Sequence, residues 1–137
     1  MDEKEILREK ERYTFEDLTA ITRILRSEGG CPWDRKQTHD SLIPCLSEEA
    51  GEVIGAIENR DMENLCEELG DLLFQVMIHS RIAQEEGFFT VDDVMGGVCR
   101  KMIRRHPHVF GDETVASAEE GVQLWERIKS VEKRKKP

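Results

Sequence analysis

The chain has 137 residues and a mass of 15.8 kDa, the size of a single domain. Charged residues make up 36% and the formal net charge is −9, which argues against nucleic acid or an anionic membrane surface as a partner. No stretch approaches the roughly 20 apolar residues of a membrane span, and MDEKEILREKERY at the N-terminus has no apolar signal region.

A cytoplasmic protein is therefore expected. Cys31, Cys45, Cys66 and Cys99 are far apart and form no CxxC pair, so reduced thiols are expected rather than a disulfide framework or a zinc site.

In chain order, residues 1–13 read as a charged extension. Thr14 and Asp17 form a capping box, followed by the apolar stripe Leu18, Ile21, Ile24 and Leu25, which predicts a first helix ending at Gly29-Gly30. CPWDRKQ follows as a loop punctuated by Pro32. A second helix is predicted from near Thr38 to Ser41 through Asn59, with the later start favoured because Pro44 is tolerated only in a first turn. Asp61 caps a third helix reaching Glu86 before Gly87. Thr90 with Asp93 opens a fourth, ending near Arg105, and Ser117 with Glu120 opens a fifth that runs into the basic tail VEKRKKP, expected to fray. Alternating strand patterns are missing. The expected fold is an all-α bundle of about five helices.

The chemistry concentrates in the second and third helices, where EEAGE and EELGD repeat one acidic figure. On the second helix Leu42, Leu46, Ala50, Val53, Ile54 and Ile57 share a face, and Glu49 and Glu52 project beside that seam. On the third, Leu65, Leu69, Leu72, Leu73 and Val76 cover one side and Phe74, Ile78 and Ile82 the other. Between them runs a polar stripe of Glu68, Asp71, Gln75 and His79. A helix apolar on both sides of such a stripe is central to its assembly. Buried carboxylates need protons, partners or a metal. Four oxygen donors without nitrogen or sulfur suit a hard divalent cation, Mg²⁺ above all with Mn²⁺ as a stand-in, and Mg²⁺ typically takes further oxygens from substrate phosphates. The plain alternative is a pair of solvated helix faces. A di-iron centre would need Glu-x-x-His pairs, which these clusters lack.

Lys101, Arg104 and Arg105 share one patch near the end of the fourth helix, where they either hold phosphate oxygens or complement the helix dipole. His106-Pro107-His108 reads as a turn rather than a zinc ligand set. Trp33 and Trp125 are open to two readings, packing or stacking on a base.

EEAGE, fourteen residues and EELGD, with GGCPWDRKQTHDSL before them and RRHPHVFGD after, resemble the MazG-type nucleotide pyrophosphohydrolases, an all-α family, over roughly 15–129. The resemblance implies a domain over 14–130 with a basic tail at 131–137. It also implies Mg²⁺-dependent cleavage of nucleoside triphosphates between the α and β phosphates, giving a monophosphate and pyrophosphate in nucleotide-pool house-cleaning. Glu49, Glu52, Glu68 and Asp71 would be metal ligands, and Glu48 and Glu67 supporting carboxylates or a base for the attacking water. Lys101, Arg104 and Arg105 would meet the phosphates, and Trp125, or less directly Trp33, would stack on the base. Assembly into a dimer or tetramer is implied as well. Many members carry two such domains in tandem, whereas one acidic pair is present here. A non-catalytic module that binds nucleotide or protein is the alternative.

Overall fold

The computed structural model describes residues 1–135 as eight α-helices with no strand among them. The five long helices expected from the sequence are joined by three short ones. The chain divides into two compact units, 1–91 and the residues from 92 onward.

In the first unit, α1 (Glu3–Glu9) is N-capped by Asp2, whose carboxylate accepts from Glu5 N at 2.9 Å. The sequence predicts only an extension here, because Ile6 and Leu7 make too short an apolar stripe. Leu7 is nevertheless buried, and two polar ties hold the segment to residues 13–17. Lys10 Nζ meets Asp17 at 2.7 Å, and the Tyr13 hydroxyl donates to the Leu7 carbonyl at 2.8 Å.

Helix α2 (Phe15–Arg26) carries the predicted capping box, with Asp17 N donating to Thr14 Oγ1 and Thr14 N to Asp17 Oδ2. It stops where Gly30 folds back so tightly that a Cβ there would lie 2.2 Å from the Ile24 carbonyl oxygen. CPWDRKQ is not a loop but holds the short helix α3 (Pro32–Lys36), with proline in its first turn. Arg26 secures it. Its guanidinium donates to the carbonyls of Asp34 (2.6 Å) and Gln37 (3.0 Å) and pairs with Glu85 at 2.8 Å. One side chain thus ties together α2, α3 and residue 85 far along the unit.

Helices α4 (Ile43–Glu58) and α5 (Met62–Glu85) form the dominant pair, joined by a turn in which Arg60 has φ +55°. Asp61 caps α5 by accepting from Asn64 N at 3.1 Å. The core is Leu42, Ile78 and Ile82, with Cys45 and Phe74 packed against it. Full burial of each such aliphatic side chain contributes about 1.5–3 kcal/mol. The Phe74–Ile78–Ile82 side of α5 is therefore the packed one, while Leu69, Leu73 and Val76 stay exposed, as do Leu46, Ile54 and Ile57 of α4.

The second unit takes in α6 (Val91–Arg105) from its second residue on, together with α7 (Pro107–Phe110) and α8 (Ala118–Lys135). Ser117 Oγ accepts from Glu120 N, and Glu120 reaches back to Ala116 N, so α8 starts where its polar residues predict. Rather than fraying after residue 130, α8 stays helical through Lys135. The rest of the expected tail, 136–137, lies outside the described residues. Glu132 explains the continuation, since it accepts from both Arg104 (2.6 Å) and Arg105 (3.0 Å) of α6.

Candidate metal centre

Helix geometry sets the site. Glu49 and Glu52 on α4, and Glu68 and Asp71 on α5, are i, i+3 pairs, so each pair points from one side of its helix. The turn at 59–61 folds the two helices together, and one carboxylate oxygen from each of the four residues lies within 4.8 Å of the others. Glu49 and Glu68 are partly buried, Glu52 and Asp71 exposed.

Electrostatics shows what such a cluster lacks. Burial, followed by the charges of Glu52 and Asp71, raises the Glu49 carboxyl above its ordinary value. A hydrogen bond shared with Glu52, with burial and the charges of Glu52, Asp71 and Glu67 behind it, pushes Glu68 up to about 7. Glu49 Oε2 and Glu68 Oε2 are buried with no hydrogen-bond partner. Like charges held this closely, with orphaned acceptor oxygens, are resolved either by protons or by a cation. The oxygen-only donor set fits a hard divalent ion. Glu48 and Glu67 stand outside the four, both exposed, and act on them as further negative charge.

Trp33 is not on a loop but on α3, and it is exposed. In the second unit the basic patch has defined partners. Arg104 and Arg105 both engage Glu132, which their guanidinium groups hold down at about 2. The Trp125 ring on α8 is half-buried beneath cations, with Lys129 Nζ 4.4 Å and Arg105 Cζ 5.9 Å from its centroid. Lys101 is exposed. His106 Nδ1 donates to the Met102 carbonyl at 2.6 Å, and HPH is not a turn: Pro107 and His108 open the short helix α7, with proline in its first turn.

The first unit also holds a pair that sequence patterning does not reveal. His39 Nδ1 and His79 Nδ1 lie 2.7 Å apart with their rings 7° from coplanar. His79 belongs to the polar stripe of α5, but His39 sits in the irregular QTHDSL segment, where no periodicity marks it.

An all-helical fold with four convergent carboxylates across a helix pair is the arrangement of a candidate metal centre. The family model described as the MazG nucleotide pyrophosphohydrolase domain matches residues 37–110, which include all four carboxylates. The chain belongs to that family. It is 52% identical over 122 residues to the nucleoside triphosphate pyrophosphohydrolase/pyrophosphatase MazG of Thermotoga maritima, covering 89% of this chain and 46% of that protein. It is 44% identical over 119 residues to the nucleoside triphosphate pyrophosphohydrolase of Escherichia coli, covering 87% and 45% respectively. The crystal structure of a mazG-related protein from Thermotoga maritima superposes with a TM-score of 0.68 at 32% identity, covering 84% of this chain and 98% of that one. The chain spans a quarter to about half the length of the curated relatives it matches.

Proposed function

We propose that this chain is an enzyme that hydrolyses nucleoside triphosphates at the α–β phosphoanhydride, releasing a nucleoside monophosphate and pyrophosphate and so serving nucleotide-pool house-cleaning. The observation that carries this reading is the cluster of Glu49, Glu52, Glu68 and Asp71 within 4.8 Å, in a chain of the nucleotide pyrophosphohydrolase family. Those four side chains are the proposed ligands of Mg²⁺, with Mn²⁺ as a substitute. When bound, the cation offsets charge on phosphate oxygens and makes a water more acidic.

The remaining chemistry falls to the chain. Glu48 or Glu67, exposed beside the cluster, accepts the proton of the attacking water as its oxygen bonds to phosphorus. The bridging P–O bond breaks and pyrophosphate leaves with the bonding electrons. Lys101, Arg104 and Arg105 are proposed to bind phosphate oxygens, and Trp125 or Trp33 to stack on the base, on the strength of their chemistry and the family likeness.

The exposed apolar residues Leu46, Ile54, Ile57, Leu69, Leu73 and Val76 support self-association into a dimer or tetramer, since a continuous apolar face is costly in water. No helix among the described residues is long and apolar enough to cross a membrane. We place the protein in the cytoplasm, with no nucleic-acid partner. The domain is proposed to extend over 14–130.

The test is product analysis. Purified protein with Mg²⁺ and a panel of canonical and modified NTPs and dNTPs should yield monophosphate and pyrophosphate in equal amounts. Diphosphate with orthophosphate would leave the metal centre standing and remove the pyrophosphohydrolase assignment.

A further inference from the structure

Two polar groups on α5 are left unexplained by the acidic cluster. Gln75 is only 7% exposed, and its Oε1 has no hydrogen-bond partner. His79 Nε2 is likewise buried and unpartnered. At about 100° per residue both fall within about 20° of Glu68 around the helix. At about 1.5 Å per residue they lie about 10 Å and 16 Å further along its axis. Carboxylates, amide and imidazole thus form one polar line on a helix whose adjoining residues Met77, Ile78 and Ile82 are core.

The second nitrogen of His79 is already committed. Its Nδ1 shares one proton with His39 Nδ1 at 2.7 Å, which fixes the ring plane and gives Nε2 a defined character, donor or acceptor, opposite to what Nδ1 does. Burial and the neighbouring His39 both disfavour a charge on His79. The pair beyond the acids is therefore neutral, with hydrogen-bonding capacity kept unspent inside the protein, where an unmade bond is costly. Neutral donors and acceptors suit a neutral ligand surface. A phosphate would call for arginine or lysine.

We propose that Gln75 and His79 Nε2 form a nucleoside-reading subsite, hydrogen-bonding to polar groups on the base or sugar while the acidic end of the same helix serves the triphosphate. The proposal rests on the pyrophosphohydrolase reading above. His39 acts as a positioning residue, holding the His79 ring through Nδ1. The shared chemistry is a neutral hydrogen-bonding edge. Base and sugar are its two sources, and nucleotide panels that vary one at a time tell them apart.

The experiment compares the wild type with Gln75→Met, which keeps the side-chain length and removes the amide, and with Gln75→Asn, which keeps the amide and withdraws it by one methylene. Calorimetry would give Kd for ribo- and deoxyribonucleoside monophosphates of each base in chelator, and steady-state kinetics would give kcat and KM for the matching triphosphates with Mg²⁺. The wild type should show a base or sugar preference that Gln75→Met compresses about tenfold, the scale of one hydrogen bond, chiefly through KM. Compression among bases at fixed sugar identifies the base as the group read, and compression between ribose and deoxyribose identifies the sugar. Should Gln75→Met not fold, the same compression is required of Gln75→Asn. An unchanged ranking alongside intact turnover, or a wild type with no preference, overturns the subsite alone. A wild type that neither binds nor cleaves any nucleotide overturns the pyrophosphohydrolase reading as well.

Discussion

His39 and His79 meet nitrogen to nitrogen at 2.7 Å with rings 7° from coplanar, so one Nδ1 donates and the other accepts. A second proton on the pair would set two N–H groups against each other. His79 is accordingly held below the ordinary imidazole value of 6.5, by burial first and by His39 second. With a lowered folded value, the unfolded chain binds the proton more readily, so this contribution is complete above about 6.5 and is lost as pH falls toward the folded value. Following the imidazole resonances by NMR should show the His79 midpoint below pH 6.5, and His39→Gln should move it upward. A wild-type midpoint at 6.5 would remove the shared proton.

Glu68 runs the opposite way. Its carboxyl is raised from 4.5 to about 7, so in the metal-free protein its stabilising contribution is complete below about 4.5 and lost as pH rises through about 7. A cation at the cluster competes with that proton, and binding near neutrality should release protons. Titrating Mg²⁺ at about pH 7 in two buffers of different ionisation enthalpy measures the release directly. Equal heats in both buffers would mean that Glu68 is not a ligand that loses its proton.

The long helices were legible because their signals are local. Thr14 with Asp17, Asp61, and Ser117 with Glu120 all cap where their spacing predicts. The i, i+3 acidic pairs could be placed on facing helices because helical rotation is regular. What escaped depends on contacts distant in sequence. Helix α1 is secured by Leu7 burial and by Lys10 with Asp17, and α3 by Arg26, whose partners Asp34, Gln37 and Glu85 are spread through the first unit. The His39–His79 bond joins residues forty apart. The sequence also could not tell which apolar side of α5 packs within the chain, since Phe74–Ile78–Ile82 and Leu69–Leu73–Val76 are equally hydrophobic patterns.

Replacing a carboxylate of the cluster should separate stability from function. Glu49→Gln or Asp71→Asn removes one of several crowded negative charges, so the metal-free protein should melt at a higher temperature than the wild type. Mg²⁺-dependent pyrophosphate release should fall by roughly 10²-fold or more, the scale of losing one group that stabilises developing charge. Thermal melts in chelator paired with turnover assays check both signs. A folded variant with full turnover would exclude that residue from the proposed ligand set.

Glu132 offers a test confined to the second unit. Arg104 and Arg105 hold its carboxyl near 2, far below 4.5, so the contribution of this triad is complete above about 4.5 and disappears as pH falls toward 2. Glu132→Gln keeps the shape and removes the charge. It should lower the melting temperature at about pH 7, and the gap to wild type should narrow steadily below about pH 4.5 and close near pH 2. The same variant bears on the proposed phosphate role of the arginines, because a guanidinium released from Glu132 is free to bind an anion. Affinity for pyrophosphate should therefore rise in Glu132→Gln and fall in Arg104→Gln, measured by calorimetry at low salt, where exposed charges are least screened. If pyrophosphate affinity stays constant in both variants while the melting temperature moves as expected, the two arginines serve only to join α6 to α8.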